Sequence, residues 1–207
     1  ISVTGVQTCA LPIYGITVTK EGIKTDHLLG MDISVNASPE SIRTIANPTE
    51  RLQMVAVNKQ PAVLTMIDDP TEAVQIKAFE ISPTVHALMN QFIDSRDGKL
   101  PSDAVQIAAV SRDGLAIEKI IPASEAVQLA AVKNDGDALV WIAYNHRKFK
   151  TPPPSVAVQH AAIDQSPDAL KFLFMMKVPV DTAMKTYAVK RWQDSPDRKS
   201  TRLNSSH

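Results

Sequence analysis

Residues 101–120 read PSDAVQIAAVSRDGLAIEKI, and residues 123–142 read ASEAVQLAAVKNDGDALVWI. The two stretches start 22 residues apart and align without a gap. Three more copies lie on either side of them. Residues 48–69 read PTERLQMVAVNKQPAVLTMIDD, residues 70–89 read PTEAVQIKAFEISPTVHALM, and residues 154–173 read PSVAVQHAAIDQSPDALKFL. The starts at Pro48, Pro70, Pro101, Ala123 and Pro154 are spaced 22, 31, 22 and 31 residues. Self-similarity at a short fixed period marks a repeat architecture. The unit is 22 residues long, with nine more inserted in the second and fourth of these copies.

Each copy divides into two helices. Asn47-Pro48-Thr49-Glu50 and Asp69-Pro70-Thr71-Glu72 open the first helix. Asn or Asp is expected as the N-cap, with proline at the first helical position and a carboxylate at the positive end of the helix dipole. Leu52, Val74, Val105, Val127 and Val158 share one column, and Ala56, Ala78, Ala109, Ala131 and Ala162 follow four residues later on the same face. Alanine there permits close approach of a neighbouring helix. Twelve residues after each start the chain reads Gln60-Pro61, Ser82-Pro83, Asp113-Gly114, Asp135-Gly136 and Ser166-Pro167. Proline or glycine breaks the helix, and serine or aspartate caps the next one. In the second, shorter helix the expected buried pairs are Leu64 and Ile67, Ile117 and Ile120, Leu139 and Ile142, and Leu170 and Leu173.

A weaker copy starts at Asp26, with Ser38-Pro39 at the break and Ile42 and Ile45 in the second helix. Downstream, residues 179–192 (PVDTAMKTYAVKRW) read as one more first helix, with Ala188 in the alanine column. The expected units are 26–47, 48–69, 70–100, 101–122, 123–153, 154–179 and a truncated 180–196. A single unit buries too little apolar surface to offset its chain entropy, so neighbours must stack. The fold expected is all-α, an α-solenoid or superhelix of short two-helix repeats. Residues 14–25 (YGITVTKEGIKT) alternate around Lys20-Glu21-Gly22 and read as a short N-terminal β-hairpin or a linker.

The two ends carry a different signal. Residues 3–13, VTGVQTCALPI, can be encoded by a DNA segment whose reverse complement translates as DRKSTRLNSSH, which is residues 197–207. That DNA resembles a short-read sequencing adapter. Residues 1–13 and 197–207 are therefore read as adapter-derived and excluded from fold reasoning. On this reading the rest is a fragment of a longer frame, and Cys9, the only cysteine, is not native. Disulfides and thiolate metal sites are then excluded from residues 14–196.

Setting aside Asp197, Arg198, Lys199 and Arg202 leaves 19 basic against 21 acidic residues. So balanced a chain offers no global attraction for nucleic acid or an anionic membrane. No apolar run approaches the ~18 to 20 residues of a membrane span, and a cytoplasmic location is expected.

The pattern PSxAVQxAAVxxDGxAI, best seen in residues 101–120 and 124–142, resembles an uncharacterised helical-repeat family of bacterial and bacteriophage proteins. Its units run close to Pro-Ser-Glu-x-Val-Gln-Leu-Ala-Ala-Val-Lys-x-x-Gly. The resemblance covers residues 26–179 and implies helical repeats with no established activity. The two insertions, and Pro83 and Pro167 in place of glycine, depart from it.

Two features are candidates for partner binding. Gln53, Gln75, Gln106, Gln128 and Gln159 form one column. They either contact a partner or bond to the backbone of the next repeat or a neighbouring helix, since an amide both donates and accepts. The insertion at 145–153 (NHRKFKTPP) places His146, Arg147, Lys148 and Lys150 beside Tyr144 and Phe149. Such a mixture pairs with phosphates and stacks on bases, or is simply a solvated loop. Lys185, Lys190, Arg191 and Trp192 add to a basic face if they lie nearby.

No metal, cofactor or catalytic group is expected. His27, His86, His146 and His160 form no HxxxH pair. Asp68-Asp69 has no catalytic partner, and the chain contains no GxxxxGK[ST], GxGxxG or GxSxG. The reading is a non-enzymatic protein-interaction module that uses the repeat surface or the insertions at 90–100 and 145–153. A module for single-stranded nucleic acid, or an accessory array of an enzyme domain outside this chain, are the alternatives.

Overall fold

The computed structural model describes residues 16–19, 22–25, 34–175 and 177–194. Residues 1–13 and 197–207, expected from the sequence to be adapter-derived, His27 and the start of the 26–47 copy lie outside the described residues. The described chain is mostly helical. A two-stranded hairpin precedes the helices: β1 (Ile16–Thr19) pairs antiparallel with β2 (Gly22–Thr25), with Ile16 opposite Thr25 and Thr19 opposite Gly22.

The first helices of the copies are α1 (Glu50–Lys59), α2 (Glu72–Ile81), α4 (Asp103–Arg112), α5 (Glu125–Asn134), α7 (Val156–Gln165) and α9 (Thr182–Asp194). The first five are each ten residues long, as the spacing requires. Their N-caps correct the sequence reading by two positions. The cap is the hydroxyl residue after the proline, not the Asn or Asp before it. Thr49, Thr71, Ser102, Ser124 and Ser155 accept the N–H of Leu52, Val74, Val105, Val127 and Val158 at 3.3–3.5 Å. The proline stands outside the helix, and the cap backbone is extended at Thr49 (φ −61°, ψ 154°), Ser102, Ser124 and Ser155 (φ −63°, ψ 161°). A serine or threonine hydroxyl three residues before an apolar N–H satisfies one of the orphan donors of the first turn.

The breaks repeat as closely. Gln60, Asp113, Asp135 and Ser166 are all extended at φ between −142° and −147°, and each N–H bonds the carbonyl four residues back. Asp113 and Asp135 accept the N–H two residues on, at 3.0 and 2.9 Å, and Ser82 does so at 3.1 Å. The second helices then differ with copy length. In the 22-residue copies they are six-residue 3₁₀ helices, Pro61–Met66 and Gly114–Lys119. Pro39–Thr44 has the same form after Ser38-Pro39. In the 31-residue copies they are α-helices, α3 (Val85–Asp94) and α6 (Ala138–Phe149). The insertions are therefore largely longer second helices, which corrects the expectation of a loop at 145–153. In the Pro154 copy a 3₁₀ turn, Pro167–Ala169, runs into α8 (Leu170–Met175).

Two compact units divide the chain, Ile1–Ala78 and Phe79–His207. In the first, Pro39–Thr44 packs on α1 and on Pro61–Met66. In the second, the first helices α4, α5, α7 and α9 are neighbours in chain order. The second helices form a parallel series, α3 beside Gly114–Lys119, that beside α6, and α6 beside α8. The core is made by the expected columns. Leu52, Val74, Val105, Val127 and Val158 are buried, as are all five alanines and every expected second-helix residue except the half-buried Ile45 and Leu170.

Candidate functional site

The Gln column is buried or half-buried, and the chain itself uses its amides. Each Nε2 donates to the carbonyl five residues back: Gln53 to Pro48, Gln75 to Pro70, Gln106 to Pro101, Gln128 to Ala123 and Gln159 to Pro154, at 2.7–3.0 Å. Because the cap is Ser or Thr, the glutamine is the fourth helical residue and reaches back to the residue before the cap. It thus braces the entry of its own helix. Gln53 also spans to the next copy, where its Oε1 accepts from Thr71 N at 3.2 Å and its Nε2 lies 3.4 Å from Asp69 O. Gln106 Oε1 is buried without a partner. Gln53→Ala is expected to cost about 1–3 kcal/mol, because Thr71 N and Pro48 O lose their partner, while Gln75→Ala costs about 1 kcal/mol. Urea unfolding of the two variants measures the difference.

A cavity lies beside the second insertion. It is an open groove of about 570 Å³. Ile117, Ile120 and Ile142 form its floor, and Ile121, Pro122, Pro152 and Pro153 form apolar walls beside Thr151. Asp103 and Glu125, both exposed, stand at its lip, and no lysine or arginine lines it. Ser155 donates to Glu125 Oε1 at 2.5 Å. The groove exists because the extra residues of the Ala123 copy carry the chain away from α5 before Pro154 starts the next helix.

Glu118 ties the two insertions together from the 3₁₀ helix between them. Its Oε2 lies 2.6 Å from His86 Nε2 and 3.5 Å from Asn90 Nδ2, both on α3. Its backbone carbonyl accepts from Asn145 Nδ2 on α6 at 3.4 Å, and Lys119 pairs with Asp94 at 2.6 Å. The two insertions thus begin on either side of Gly114–Lys119, and the Oδ1 atoms of Asn90 and Asn145 are buried and unpaired.

The basic segment divides by helix face. Asn145 points inward, and His146 Nδ1 lies 2.5 Å from Thr151 O, closing the turn. Arg147, Lys148, Phe149 and Lys150 are exposed. Lys148 Nζ lies 5.2 and 5.0 Å from the Tyr144 and Phe149 ring centroids, within cation–π range of both rings. Lys150 ends α6 in the left-handed conformation. Of the other basic residues, Arg191 Nε pairs with Asp164 at 3.1 Å and Lys185 lies over Phe174. Among the described residues no group of three His, Cys, Asp or Glu is placed to hold a metal, and no helix is long and apolar enough to cross a membrane.

No family model matches the chain, and comparison with curated proteins and with solved structures gives no match.

Proposed function

We propose that this chain is a non-enzymatic helical-repeat module, an α-solenoid of two-helix units, that binds a protein partner through the groove beside residues 145–153. The observation that supports it is the groove itself, with an aliphatic and proline-lined interior under an acidic lip. A cleft of this size accepts one or two apolar side chains. Asp103 and Glu125 favour a neighbouring lysine or arginine, which steers encounter and fixes register. The matching ligand is an extended peptide with an apolar residue beside a basic one.

Selection from a displayed random-peptide library tests this reading. Peptides of that pattern are expected to be enriched, and Asp103→Lys with Glu125→Lys is expected to weaken them at least tenfold. Enrichment that survives both this double variant and Ile121→Arg would remove the groove from the proposal. Labelled single-stranded DNA and RNA form the competing arm. Salt-dependent binding lost on changing Arg147, Lys148 and Lys150 to alanine would replace the protein partner with nucleic acid.

A further inference from the structure

The residue nine positions after each copy start is Val35, Val57, Phe79, Val110, Val132 and Ile163, and every one is fully buried. In the copy starting at Val180 the same position is Val189, which is 51% exposed. The rest of that copy follows the pattern. Asp181 caps Met184 N at 2.7 Å, and Met184 and Ala188 pack against Ile163 of the Pro154 copy. Tyr187 donates to Asp164, and that bond raises the phenol above its usual pKa. What differs is the helix end. Trp192 stands where Gln60, Ser82, Asp113, Asp135 and Ser166 turn the chain, yet α9 continues to Asp194. Trp192 is 44% exposed and Phe174 50%. With Leu170, Lys171, Ala188 and Val189 they line a groove of about 270 Å³ between α8 and α9.

The Ala123 copy identifies the matching occupant. There α6 touches both its own first helix, α5, and the preceding second helix, Gly114–Lys119. The groove between α9 and α8 is the same position in the Val180 copy. We propose that this groove is a docking site for a short helix of the second-helix kind, amphipathic with apolar residues spaced i, i+3. The inference rests on the repeat reading above. The exposed side chains are large and apolar, the kind that gain most on being covered, and Asp168 and Lys171 at the edge supply a polar rim.

The test replaces residues 195–207 with a copy of residues 135–149. Trp141 is changed to Phe in both copies, so that Trp192 alone reports. The expected result is a shift of Trp192 emission to shorter wavelength and a rise of ~4 °C in the unfolding midpoint. The same graft with aspartate at its Leu139 and Ile142 equivalents is expected to behave as the ungrafted chain. Should the graft fail to fold, the free peptide titrated into the Trp141→Phe chain reads the same emission. No shift with either form overturns the proposal, and so does a concentration-dependent shift in the ungrafted chain, which assigns the face to a second copy. Amide exchange across the six buried positions keeps the repeat reading separate. Recurring protection there without a Trp192 response removes the docking site alone, and absent recurrence removes the repeat reading.

Discussion

Gly114→Val is expected to lower stability by about 3 kcal/mol. A Cβ on Gly114 would sit 2.6 Å from Ala131 O and 2.9 Å from Asp135 Cβ. The carbonyl belongs to α5, whose own hydrogen bonds hold it, so the obstacle is backbone that cannot swing aside. Gly114 N also donates to Asn134 Oδ1 at 2.8 Å, and Asn134 Nδ2 returns a bond to Ser111 O at 2.9 Å. The substitution pushes this pair apart as well. Gly136 makes the equivalent approach to Ala162 O at 2.9 Å. Gly98 is the control: its φ is +80° but nothing lies within 4 Å, so Gly98→Ala should cost only the ~1–2 kcal/mol of a left-handed backbone. Urea unfolding ranks the variants, and Gly98→Ala as costly as Gly114→Val would show that close approach is not what Gly114 provides.

Phe79→Ala is expected to cost about 4 kcal/mol. Phe79 is fully buried, and its ring meets Phe92 edge-to-face at 5.8 Å between centroids and 84° between planes. Truncation leaves a cavity and removes an aromatic pair worth about 1 kcal/mol beyond its buried area. Phe79→Leu fills most of the volume and should cost about 1.5 kcal/mol. Calorimetry of the two variants checks the order. Equal costs would mean the site collapses around the smaller residue.

These positions show how far the sequence could be read. Phe79 falls in a column otherwise filled by valine or isoleucine, and periodicity places it inside. Its partner Phe92 lies in the inserted part of the Pro70 copy, outside the repeat, and no spacing rule connects them. The helix entries lie two residues later than expected because Asn-Pro-Thr and Asp-Pro-Thr offer two capping residues. Geometry selects the second, since the Thr71 hydroxyl reaches Val74 N while Gln75 secures Pro70 O. The glutamines were legible as a repeated structural task, but not its form. The expected partners were the next repeat or a neighbouring helix, and only Gln53 also takes the next copy.

The groove was the least legible feature. Asp103 and Ile121 belong to one copy, and Asn145 and residues 151–153 to the next. They meet only because a longer second helix displaces the chain before Pro154. A charge pattern drew attention to Arg147, Lys148 and Lys150 instead, which face away from the buried side of α6. Local composition marks such a face, whereas a cleft built from distant residues depends on packing.

Residue-resolved amide hydrogen exchange of the chain tests the repeat account most directly. Protection is expected to peak at Val57, Phe79, Val110, Val132 and Ile163, at intervals of 22, 31, 22 and 31 residues. Between the peaks, Glu50, Asp103, Glu125 and Val156 should exchange fast, because first-turn N–H groups have no carbonyl four residues back. Protection that ignores these intervals, or equals its peak value at the helix starts, would contradict the account.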